Sequence, residues 1–73
     1  INSNYVRDLI MPDVSNEYMA EQCWKLKSRG YINCSPGDNL ANNIEIEDKT
    51  IIYFENSFNR NMSAITNFLL KLK

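Results

Sequence analysis

Histidine is absent from this chain, and glycine, proline and cysteine each occur only twice. Without histidine, the commonest metal ligand and the commonest general base near neutral pH are both missing. Two cysteines, Cys23 and Cys34, are too few for the disulfide framework of a small secreted scaffold. They read as free thiols, with one bridge between them as the other possibility, and Cys23 falls where a thiol serves as a small apolar residue. Gly30 and Gly37 form no phosphate-cradling pattern. No apolar run approaches the roughly 20 residues that span a bilayer, and no charged-then-apolar leader marks a signal peptide. Two sequon matches, at Asn33-Cys34-Ser35 and Asn61-Met62-Ser63, read as chance in an asparagine-rich chain, so the expected compartment is the cytoplasm. Opening on Ile1 rather than methionine is what a processed chain or an excised domain would show.

What is present points to one small domain. Seventy-three residues, 44% of them apolar, hold a single core near the lower size limit for independent folding. Tyr5 to Ile10 supplies one or two helical turns, broken at Met11-Pro12 because proline disfavours helix in the residue before it. Asp13 or Ser15 can cap a second helix, over about 15–29. Met19, Cys23 and Leu26 recur there at spacings of four and three and share one face. Glu17 suits its start, and Lys25, Lys27 and Arg29 suit its end. Gly30 supplies the left-handed residue that stops it, and Tyr31-Ile32 begin an extended segment. Ser35-Pro36-Gly37-Asp38 reads as a turn and Asn39 to Asn43 as loop. Ile44-Glu45-Ile46-Glu47 alternates like a half-buried strand. Thr50 to Phe54 fits strand by composition and helix by spacing. Phe58, Met62, Ile65, Leu69 and Leu72 then recur at four, three, four and three, the stripe of an amphipathic helix. That helix either packs on its own domain or pairs with a second copy.

Catalysis finds little support. Asp13, Glu17 and Glu21 could share a helical face, but a solvated surface explains them better than a buried acid–base pair. Ser35-Pro36-Gly37 has no strand before it and no histidine to activate the serine. No catalytic residue, no metal site and no cofactor are expected.

Cys23 and Leu26 precede Gly30 by seven and four residues, and Tyr31-Ile32 follow it as an aromatic–aliphatic pair. The segment Val14–Ile32 is therefore similar to the recognition helix of winged-helix regulators. Residues 44–57, Ile-Glu-Ile-Glu-Asp-Lys-Thr-Ile-Ile-Tyr-Phe-Glu-Asn-Ser, resemble more narrowly the YjcQ-like family of small phage and prophage proteins. The resemblance covers about residues 5–73. Thr50 stands where that family usually has glycine, Glu47 where threonine is common, and the first helix of the fold is largely missing. It implies an α+β fold: a small winged helix-turn-helix domain over residues 1–73, with a recognition helix at about 15–29, a wing at about 31–47 and C-terminal helices at about 49–72. It also resolves Thr50–Phe54 as helix.

The function this implies is transcription regulation through duplex DNA, with Arg7, Asn16, Tyr18 and Lys25 as contacts. The charges oppose it. The helix face carrying Glu17 and Glu21 would meet a polyanion unfavourably, and residues 31–49 hold Asp38, Glu45, Glu47 and Asp48 against Lys49 alone, a local charge of −3. Arg60, Lys71 and Lys73 make the last helix basic instead. Trp24, on the side away from the Met19–Cys23–Leu26 stripe, either packs on the missing first helix or the N-terminal segment, or anchors a protein partner. The expected partner is thus duplex DNA or a protein. A homodimer would form through Phe58, Met62, Ile65, Leu69 and Leu72.

Overall fold

A computed structural model describes residues 1–47 and 56–72. Within them the chain runs α1 (Ser3–Ile10), α2 (Asn16–Ser28), β1 (Ile32–Gly37), β2 (Leu40–Ile46) and α3 (Arg60–Leu72). The fold is α+β, three helices on a two-stranded antiparallel sheet. The assignment of Thr50–Phe54 lies outside the described residues.

Each helix begins and ends for a local reason. Asn2 caps α1, its Oδ1 accepting from the Tyr5 N–H at 2.9 Å, and the helix stops at Met11, ahead of Pro12. Ser15, rather than Asp13, caps α2, its Oγ accepting from the Tyr18 N–H at 3.0 Å. At the far end Gly30 adopts φ +84°, its N–H bonds Lys27 O at 3.0 Å, and the Tyr31 N–H bonds Leu26 O at 3.1 Å. This is the paired hydrogen-bond pattern of a Schellman motif, and Leu26 and Tyr31 are both buried in the core it encloses.

The hairpin corrects two sequence expectations. Ser35–Gly37 is strand rather than turn, and Leu40–Asn43 is strand rather than loop: β1 continues to Gly37, β2 begins at Leu40, and the reversal is made by Asp38 and Asn39. Both have left-handed backbone, φ 52° and 61°, as a two-residue type I′ turn requires. Pro36 is tolerated inside β1 because its partner is Ala41, whose N–H points the other way, to Ser3 Oγ at 3.1 Å. The pair needs no hydrogen bond between strands, so no ladder bond is lost. Asn43, at φ 53°, is the extra residue of a bulge: two strand steps from Asn33 to Ser35 face three from Glu45 to Asn42. The bulge sets Ala41 and Ile44 three apart, yet both face the core. That spacing breaks the two-residue alternation by which a strand is read.

The core gathers Val6 from α1; Met19, Cys23 and Leu26 from α2; Tyr31, Ile32, Cys34, Ala41 and Ile44 around the hairpin; and Met62, Ile65 and Leu69 from α3. Burying a Leu or Ile side chain contributes about 1.5–3 kcal/mol, which makes these residues the main source of stability. The N-terminal residues close one side of β2, since the Ile44 N–H also bonds Ile1 O at 3.0 Å.

Candidate binding face

The second helix is buried on more than its apolar stripe. Met19, Ala20, Gln22, Cys23 and Leu26 are all covered, and Glu17, Glu21, Lys25, Lys27 and Ser28 are left to solvent. Gln22 is accommodated because its Oε1 accepts from Asn59 Nδ2 at 2.9 Å. Between α2 and the tip of the hairpin lies an open groove of about 510 Å³, lined by Glu17, Ala20, Glu21 and Trp24 on one side and Pro36, Gly37, Asn39 and Leu40 on the other. Residues 17, 20, 21 and 24 fall on one helical face, which is why a single wall can carry all four. The tight turn at Asp38-Asn39 holds the opposite wall.

The proposed DNA contacts are engaged within the chain. Arg7 Nε donates to Asn16 Oδ1 at 2.9 Å, and Arg7 Nη1 pairs with Asp8 at 3.2 Å. The Tyr18 hydroxyl accepts from Asn61 Nδ2 at 2.9 Å, which ties α2 to α3. Lys25 pairs with Glu21 one helical turn back at 3.3 Å. Arg7, Asn16 and Tyr18 thus gather where α1 and α3 meet the start of α2, and Lys25 stands apart near its end.

Trp24 is half-buried, packed on the rim of the core with one side on the groove, and Lys27 Nζ lies 5.8 Å from its ring centroid. The same ammonium donates to the Cys34 carbonyl at 2.7 Å. Of the five residues given to a dimer seam, Met62, Ile65 and Leu69 are buried in the chain's own core. Phe58 precedes α3 and packs edge-on against Tyr31, ring centroids 4.8 Å apart. Leu72 alone of the five is exposed, so no continuous seam is presented: a 13-residue helix in so small a domain is needed for the domain's own core.

Comparison with protein-family models, curated proteins and solved structures gives no match.

The groove itself has no continuous signature in the sequence. Glu17, Glu21 and Trp24 are visible as one face of α2, but Pro36, Gly37, Asn39 and Leu40 join them only through the hairpin's reversal. Among the described residues there is no group of three histidine, cysteine or carboxylate side chains placed to hold a metal, and no helix is long and apolar enough to cross a membrane.

Both thiols are free and buried. Burial, with Cys34 close by as a lesser contribution, pushes the Cys23 thiol from 9.0 up to about 12. Cys34 is also raised by burial, against a lowering pull from Lys27. A folded-state value above the unfolded one means that the unfolded chain releases the proton first as pH rises. The stabilisation is therefore complete below about pH 9 and is lost progressively toward pH 12. Cys23→Ala is expected to be less stable than the parent at pH 8. The gap in urea midpoint should narrow by pH 11, and a constant gap would show that Cys23 does not carry the alkaline lability.

Proposed function

We propose that this chain is a non-catalytic binding module on a winged-helix scaffold, with α2 and the β1–β2 hairpin as its working face and a protein, not duplex DNA, as the partner. The order helix, helix, glycine stop, hairpin, helix supports the scaffold. The charge of the face carries the choice of partner: from Ile32 to Ile46 the hairpin holds Asp38 and Glu45 and no lysine or arginine, and Glu17 and Glu21 line the groove beside it. A wing or helix that docks on DNA presents cations and donors to phosphate, and each carboxylate there opposes the polyanion.

The DNA reading draws on a different observation. Lys25, Lys27 and Arg29 cluster at the C-terminal end of α2, and Asn16 opens the helix with its side chain within reach of Arg7. Fluorescence anisotropy with a mixed-sequence duplex, at low and at moderate salt, separates the two. The protein reading expects no saturable binding at either. Binding that weakens steeply with salt, by roughly 0.9 log units in K per log unit of salt for each phosphate neutralised, would replace it with a DNA-binding module.

A further inference from the structure

Two walls of opposite character meet in the groove between α2 and the hairpin tip. One carries an indole and two carboxylates; the other is mainly Pro36 and Leu40 with the backbone of Gly37. The Glu17 carboxylate makes no ion pair or hydrogen bond among the described residues. It stands in the first turn of α2, where the positive end of the helix offsets part of its charge. Glu21 is one turn further in, beyond most of that field, and its pairing with Lys25 is between half-exposed groups. Such i,i+4 pairs contribute only about 0.3–0.5 kcal/mol and exchange readily for a better-placed cation. Asp38, between Gly37 and Asn39 at the tip, is exposed and adds to the negative potential at the mouth. Lys27, toward the C-terminal end of α2, is held by the Cys34 carbonyl and lies over Trp24, and no described lysine or arginine lines the groove itself.

From this we infer that the groove takes an extended protein segment bearing an arginine or lysine beside an apolar residue. The inference rests on the protein-binding reading above and names the chemistry of the partner. The partner's cation lies between Glu17 and Glu21, and the apolar side chain packs on Trp24 and Leu40. An aromatic anchor in a concave site beside complementary charge is the arrangement that dominates affinity at protein interfaces. The two carboxylates favour one direction, since a reversed segment carries its cation away from Glu17 and Glu21 and toward Trp24, over which Lys27 already lies.

Amide and indole NMR shifts test this with two blocked pentapeptides, Gly-Leu-Arg-Leu-Gly and Gly-Leu-Glu-Leu-Gly, each titrated to about 1 mM or above, the range of a weak encounter. The arginine peptide is expected to shift Glu17, Glu21, Leu40 and the indole N–H of Trp24, the only tryptophan in the chain. The glutamate peptide should shift none of them. The double substitution Glu17→Gln and Glu21→Gln should weaken arginine-peptide binding about fivefold or more, consistent with partly exposed charge pairs, and leave the remaining spectrum, and so the fold, unchanged. Equal shifts by both peptides, or no effect of the double substitution, would overturn the cation claim and leave the groove as a protein site. No shift at these residues with the arginine peptide overturns the cationic-segment inference. Shifts of α2 by duplex DNA in the same spectra would overturn the protein-binding reading itself.

Discussion

Leu26→Ala is expected to lower the unfolding free energy by about 3 kcal/mol, within the 2–5 kcal/mol range for removing a fully buried leucine. Leu26 is 0% exposed and is met by the core from α1, the hairpin and α3. It also stands at the end of α2 opposite Tyr31, so its loss weakens the apolar contact that accompanies the Schellman hydrogen bonds. A domain of this size has a total stability of about 4–11 kcal/mol, taken at 0.05–0.15 kcal/mol per residue. The variant is therefore close to unfolding at ordinary temperature. Urea titration followed by circular dichroism measures it, with Leu72→Ala as the companion. Leu72 is 56% exposed, and its truncation should change stability by no more than about 0.5 kcal/mol. Similar losses in the two variants would mean that the core is not built around the end of α2.

Asn59→Ala carries an effect of similar size, about 2–4 kcal/mol from the two contributions below, although the residue is at the surface. Its side chain performs two tasks. Oδ1 accepts from the Met62 N–H at 2.8 Å and caps α3, a role whose loss costs about 1 kcal/mol. Nδ2 donates to Oε1 of the buried Gln22 at 2.9 Å, and removing it leaves that oxygen unpaired at a further cost of about 1–3 kcal/mol. Asn59→Asp separates the two: the carboxylate keeps the cap, and the Gln22 amide can rotate to donate through Nε2. For a domain of 60–100 residues 1 kcal/mol corresponds to roughly 4–8 °C in Tm, so Asn59→Ala should lower Tm by more than about 8 °C and Asn59→Asp by much less. Equal losses would show that the link to Gln22 contributes nothing.

These two residues also mark where the sequence was and was not legible. The stripe Met19–Cys23–Leu26 and the stop at Gly30 locate α2 and its buried face, because both are local: helical period and a left-handed glycine. Asn59 carries no local signal because its importance comes from Gln22, far away in sequence, and because the apolar stripe starts at Phe58, just before the cap. Phe58 belongs instead to the packing around Tyr31, with the Arg29 guanidinium 5.6 Å from its ring. The hairpin was displaced by its punctuation. Pro36 and Gly37 suggest a turn, yet Asp38 and Asn39 make it, and left-handed Asp and Asn are only occasional in any chain. The bulge at Asn43 then removed the alternation that would have shown Leu40–Asn43 to be strand. The groove depends on both features, so it could not be read before the hairpin was placed. The five-residue seam on the last helix failed for a different reason: periodicity shows that a face is covered, not by what.

The first three residues have a consequence for the behaviour of the chain in a crowded solution. A two-stranded sheet with bare sides offers rows of amide groups to any passing strand, and such rows seed fibrils and swapped dimers. On β2 two of these amides are already spoken for, Ile44 by the carbonyl of Ile1 and Ala41 by the hydroxyl of Ser3. Because the Ser3 bond is buried, a competing strand must first dislodge the start of α1. The segment Ile1–Ser3 thus acts as a stopper against self-templating, made from one backbone oxygen and one side-chain oxygen.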